Sequence, residues 1–163
     1  MESWEVDLRN TKNSTLLGDI GEAIALHYLC SHSFFLVTRP IKFLHGKFSL
    51  ISAHYQIKPP KMERQHWLTD KQKEYLENFP SWDYVAFKIQ GSPYVVEYEG
   101  KRYVRRWKNP YLVEVKTVKG TDSPHKKPTS NAVSEAKLLK YKPMLVIVRV
   151  LENWNILVQA NEL

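Results

Sequence analysis

The sharpest chemical signal is Glu114-Val115-Lys116, set inside the otherwise apolar run Tyr111 to Val118. The β-forming residues around it predict a strand, and strand side chains alternate between faces. Glu114 and Lys116 therefore share one face, while Val113, Val115 and Thr117 take the other. A carboxylate and an ammonium so placed can divide the work at a phosphodiester. The carboxylate holds a hard divalent cation; the ammonium orients an attacking water or offsets developing charge. Taken alone, such a pair is more often a weak ion pair on a solvated sheet face.

Two further acids change that balance. Asp83 heads the run Trp82-Asp83-Tyr84-Val85-Ala86-Phe87, 31 residues before Glu114, and would supply a second carboxylate across the sheet. Its ordinary role would be at a sheet edge or turn. Mg²⁺ keeps several waters and needs only one or two carboxylates. Glu22 shares a helix face with Gly18, Leu26 and Leu29, an expensive place for an unpaired charge. It is read either as a metal ligand or metal-water acceptor, or as the partner of a buried Arg or Lys. Asp19, one turn earlier, could fill either role, and Glu22 is preferred.

These residues need elements to position them. Ser14 to Ser31 reads as a helix, apolar on more than one face and so largely buried. Gly18 and Gly21 within it predict a close neighbour. Phe34 to Arg39 reads as a strand stopped by Pro40. Ile41 to Tyr55 mixes β-formers with turn residues and accommodates one or two strands before the break at Pro59-Pro60. A helix beginning at Thr69 ends before Pro80. Residues 41–80 thus read as an insertion elaborating a core made by the two ends. Strands follow at Asp83 to Ile89, Tyr94 to Tyr98, Arg102 to Trp107 and Tyr111 to Val118, the middle pair forming a hairpin about Glu99-Gly100-Lys101. A helix over Asn131 to Lys140, capped by Thr129 or Ser130, leads to strands at Pro143 to Val150 and Asn153 to Ala160. The pattern is α/β, with helices packed on a sheet.

The chain has 163 residues, 43% hydrophobic and 25% charged, which suits one domain spanning residues 1–163 and excludes wholesale disorder. Its longest strongly apolar run, Met144 to Val148, is too short to span a bilayer. The acidic N-terminus lacks a signal-like apolar region, and the lone Cys30 suits a reducing compartment. A cytoplasmic (intracellular) protein with no membrane partner is expected. The net charge is +7, of which residues 83–163 carry +6. A segregated basic surface suits a polyanion, although solvated lysines alone also produce one.

A Gly-x-x-Gly-Glu helix, a strand ending in Arg39, an Asp-headed strand and Val-Glu-Val-Lys together resemble the PD-(D/E)XK nuclease superfamily. Within it, the spacing is most similar to archaeal Holliday-junction resolvase-like and RecB-like nucleases. The resemblance covers Gly18 to Arg39 and Trp82 to about Tyr141. It implies a restriction-endonuclease-like central mixed β-sheet flanked by helices. It also implies Mg²⁺ (or Mn²⁺) held by Asp83, Glu114 and the Val115 carbonyl, with Lys116 as catalytic lysine and Glu22 as helix acid. Lys137 and Tyr141, with Ser134 on the same face, match a polar helix that many members carry after the lysine strand; a solvated helix side is the alternative. No proline directly precedes Asp83, a departure from the family pattern.

Two basic clusters extend the reading towards nucleic acid. Lys101, Arg102, Arg105, Arg106 and Lys108 alternate with Tyr103 and Trp107 in a ribbon suited to phosphates or unpaired bases. Lys119, Lys126 and Lys127 follow the Glu-x-Lys strand. Either cluster could instead guard a sheet edge. His27, Cys30 and His32 lack the second cysteine pair a zinc site would want. No phosphate-cradling glycine loop is present. The expected function is a metal-dependent nuclease, endo- or exonucleolytic, cutting DNA in repair or recombination. Junction, flap, free end and duplex stay open as substrates, as does RNA. A homodimer is also open, since a resolvase cuts two strands. The rival is a catalytically inactive nucleic-acid-binding module on the same fold.

Overall fold

The computed structural model describes residues 1–163 except Val6, Arg9, Thr11, Asn13, 49–60 and Pro80. In chain order the elements are α1 (Ser14–Ser31), β1 (Phe34–Thr38), α2 (Pro40–Leu44), α3 (Asp70–Asn78), β2 (Tyr84–Lys88), β3 (Tyr94–Tyr98), β4 (Lys101–Arg105), β5 (Tyr111–Lys119), α4 (Ser130–Leu138), β6 (Lys142–Val150) and β7 (Ile156–Glu162). Five strands form a mixed sheet in the order β1-β2-β5-β6-β7. In it β5 and β6 pair in parallel, and the other neighbours are antiparallel. A parallel pair needs a crossover, and α4 provides it. The α/β class expected from the sequence is therefore present. Among the described residues, no helix is long and apolar enough to cross a membrane.

Helix α1 lies on one sheet face through Gly21, Ala25 and Leu29, spaced four apart, while Thr15, Asp19, Ala23 and His27 on its far side are exposed. It is thus buried along one stripe rather than all round. Gly21 is where the helix meets β5: a Cβ there would collide with Thr117 Oγ1 and fall 2.9 Å from the Thr117 Cβ. Gly18, by contrast, has nothing within 4 Å of such a Cβ, so only one of the two glycines answers to close packing.

The other sheet face is covered by the middle of the chain. Phe43, Trp67, Leu68, Tyr75 and Leu76 join Phe35, Phe87, Trp107 and Leu112 in one buried cluster, so these residues are core and not elaboration. The strand expected from Ile41 onwards is instead the short helix α2, with Pro40 ending β1 and opening the helix, where its fixed φ and missing N–H do no harm. The rest of that expectation, over residues 49–60 and with Pro59-Pro60, lies outside the described residues. Helix α3 starts on a reciprocal cap: Gln72 N–H donates to the Thr69 hydroxyl, and Thr69 N–H donates to the Gln72 side chain. The β3–β4 hairpin turns tightly on Glu99 and Gly100, both at positive φ (48° and 71°), and forms a separate two-stranded sheet.

Gly21→Ala removes a helix-weakening glycine, yet the clash with Thr117 should outweigh that gain and cost about 1–3 kcal/mol. Gly18→Ala should instead be neutral or stabilising by up to about 1 kcal/mol. Thermal unfolding of both variants, with Gly21→Ala/Thr117→Ala as the rescue, checks the assignment; equal behaviour of the two glycines would refute it.

Candidate active site

Strand β2 pairs with β5 only as far as Tyr84 opposite Val113. Beyond that point β5 runs on to Lys119 without β2 beside it, which exposes backbone groups on that edge. Asp83 fills the gap: its Oδ2 accepts the Val115 N–H at 2.7 Å. Within a strand, a residue's N–H and C=O leave on the same edge, so the Val115 carbonyl also faces the side that Asp83 occupies.

Glu22 reaches the same place from α1. It forms an ion pair with Arg39, which follows β1. Arg39 also donates to the Asp83 carbonyl at 3.3 Å, stands 3.8 Å from Asp83 Oδ1 and lies over the Tyr84 ring. The Tyr84 hydroxyl in turn donates to the Glu22 carbonyl. Glu114 and Lys116 are paired at 2.5 Å on the sheet face that β5 turns away from α1. Glu22, Asp83, Val115, Glu114 and Lys116 are thus gathered at one end of the β2–β5 seam, while Asp19 stays exposed. The sequence places Arg39 only at the end of a strand, and the structure makes it the basic partner expected for Glu22. The available signal was a strand ending in arginine shortly after a helix acid that needed a partner.

Burial pushes the Asp83 carboxyl up to about 7, and the neighbouring Glu114 and Glu22 add to the rise while the Val115 N–H opposes it. Crowded, desolvated carboxylate oxygens favour a bound cation. Among the described residues, no three His, Cys, Asp or Glu side chains form a ready-made metal cage. Asp83, Glu114 and the Val115 carbonyl are nonetheless hard oxygen donors beside an open edge, a set that fits a largely hydrated Mg²⁺ or Mn²⁺.

Two clefts meet at Ser81 and Trp82. One, of about 280 Å³, is walled by Glu114, Lys126, Lys127 and the Thr129 cap of α4. The other, of about 360 Å³, is walled by Asp83, Arg39 and Lys42. Trp82 between them is buried and donates its Nε1–H to the Tyr75 hydroxyl.

Of the residues expected to contact nucleic acid, Lys101, Arg102, Arg106, Lys108, Lys126, Lys127 and Lys137 are exposed, and Lys119 is partly so. Two are not available. Tyr141 is buried and its hydroxyl donates to the Gln72 carbonyl, so it ties α4's end to α3. Arg105 donates at 2.8 Å to both the His66 and Trp67 carbonyls, which fastens the hairpin to the core. Trp107, beneath its guanidinium, is wholly buried and offers no face for a base. Strand alternation places Tyr103, Arg105 and Trp107 on one face and Arg102, Arg106 and Lys108 on the other, and the hairpin packs the first of these faces down. Cys30 is buried in the α1 cluster, where desolvation pushes its thiol up to about 11. His32 stacks on Tyr28, and its ring donates to the Tyr28 carbonyl.

No family model, curated protein or solved structure matches this chain.

The Asp83 shift has a sign that can be measured. Its folded value lies above the usual aspartate value of about 3.9, so the stability it contributes is complete below about pH 4. That contribution is lost as pH rises through about 7. In thermal unfolding with EDTA, Asp83→Asn should gain on the wild type between about pH 4 and pH 7 and keep a constant margin above that. Parallel curves would show the carboxyl ionised throughout.

Proposed function

We propose that this chain is a metal-dependent nuclease of the PD-(D/E)XK type that hydrolyses phosphodiester bonds in DNA. The observation carrying the reading is one contact network from Glu22 through Arg39 and Asp83 to Val115, with Glu114 and Lys116 flanking Val115. The mixed sheet, with α1 on one face and α2, α3 and α4 on the other, supports a restriction-endonuclease-like fold.

Asp83, Glu114 and the Val115 carbonyl would hold Mg²⁺ or Mn²⁺. When bound, the cation supplies an activated water and neutralises charge on the phosphoryl oxygens. Lys116 carries three N–H donors on the same face as Glu114, and it orients that water and stabilises negative charge as phosphorus is attacked. Arg39 acts as a positioning residue: it neutralises Glu22 beside Asp83 and fixes the head of β2 through the Asp83 carbonyl. Lys126 and Lys127 line the cleft beside Glu114, where their charge draws in the phosphate backbone.

The ion pairs themselves favour a second reading. With Glu22 tied to Arg39 and Glu114 to Lys116, two acids are already neutralised, as a binding module without catalysis would have them.

Cleavage of labelled duplex, single-stranded, flap and four-way-junction DNA, and of RNA, separates the two. Cutting should require Mg²⁺ or Mn²⁺ and stop in EDTA. Lys116→Ala should bind normally and cut at least about 10²-fold more slowly. Binding without cutting by the wild type would establish the second reading. The ribbon makes a separate prediction: Arg102→Ala and Arg106→Ala should each lower the salt dependence of DNA binding by about one unit without changing Tm. Arg105→Ala should lower Tm by several degrees, because two core carbonyls lose their donor.

A further inference from the structure

A third cleft, of about 350 Å³, opens at the far end of α2 from Arg39 and Asp83. Its wall is a three-layer stack. Phe43, buried, lies against Phe48 with ring centroids 5.1 Å apart and planes 18° apart. Phe48, half-buried, carries the Arg64 guanidinium 4.9 Å from its ring centre. Exposure rises through the stack, so the outermost layer is a planar cation on an aromatic support. His45, Gln65 and Lys73 complete the rim, and among the described residues no acidic side chain lines the cleft. Lys73 has Asp70 as an acidic neighbour at 3.9 Å, but Asp70 is 94% exposed, so the pairing is weak and solvent-screened.

We infer that this cleft is a docking site for an unpaired nucleotide, one that lies along the same strand as the phosphate presented to Asp83. A planar guanidinium on a phenyl ring is a platform on which a base stacks, and unpaired bases are the ones free to do so. Lys73 and His45 stand where a phosphate or sugar edge would follow. The spacing suits one strand: α2 has five residues, about 7.5 Å of helix, between the two places. Arg39 and Lys42 line the active-site cleft at its near end, so the path between them is basic. An intact duplex keeps its bases stacked inside, and cannot use such a site. The inference rests on the nucleic-acid reading above and deepens it, because it selects single-stranded, overhanging or flap substrates over plain duplex.

The test is a binding titration in EDTA with a single-stranded oligonucleotide carrying the fluorescent base 2-aminopurine, beside a blunt duplex of the same sequence. The wild type should quench the base on binding and prefer the single strand. Arg64→Ala should weaken single-strand binding roughly tenfold and reduce the quenching, with blunt-duplex binding unchanged. Arg64→Lys, which keeps the charge and loses the plane, should behave like Arg64→Ala. Full retention of affinity and quenching by Arg64→Lys would overturn the stacking role, as would equal losses for both DNAs or no loss in Arg64→Ala. Phe48→Leu keeps apolar bulk under the guanidinium and serves as a second probe, with unfolding curves checking that it folds. Because the titration contains no metal, quenching without any cutting in the cleavage assay supports the cleft and counts only against the nuclease reading. Cutting with no Arg64 effect counts only against the cleft.

Discussion

The hydrogen bond from Val115 N–H to the Asp83 carboxylate is the contact on which the rest of the site depends. Strand β5 outruns β2, and a half-buried strand edge must find partners for its N–H and C=O groups. One side chain supplies what a further pair of β2 residues would otherwise have done. In doing so it draws an ionisable group to the seam between two strands, where burial raises its proton affinity. Arg39 is drawn to that charge and in turn pairs with Glu22, which holds its place because Gly21 lets α1 sit against Thr117. A backbone requirement and a chemical arrangement therefore share one atom pair.

The hydrophobic core is divided by the sheet, and its halves do different things. The α1 half mixes Phe34, Tyr84 and Tyr111 with many small and branched side chains, among them Ala25, Ala86, Val113 and Val146, which permit close approach of helix and sheet. The opposite half is aromatic, with Phe35, Trp67, Phe87 and Trp107 meeting edge-on or tilted. It anchors three otherwise weakly attached pieces: α2, the turn at Arg64–His66, and the β3–β4 hairpin through Arg105. Of these pieces, α2 lines the cleft beside Asp83 and the turn at Arg64–His66 lines the third cleft, while the α1 half sets the position of Glu22.

Charge along the chain is a poor guide to charge on the surface. Lys101 to Lys108 looks like one basic ribbon, yet Arg105 is spent inside on two carbonyls and Trp107 is wholly buried. Conversely, the stack of Phe43, Phe48 and Arg64 joins residues from either side of a chain segment with no evident pattern, and composition alone does not reveal it.

Local physics, readable from the residues, determined most of the elements and the division of faces on β5. Apolar alternation separates Val113 and Val115 from Glu114 and Lys116, and the structure keeps that separation. Thr129 as a helix cap and the turn at Glu99-Gly100 follow equally from local preference. What only tertiary structure decided are the long-range pairings. Asp83 caps Val115 because β5 there has lost its neighbour, and the meeting of Glu22 with Arg39, the filling of the core by the middle of the chain and the inward turn of Tyr141 are likewise contacts between distant parts of the chain. None of these is encoded in a local period, because each joins residues whose proximity arises only after the sheet has formed.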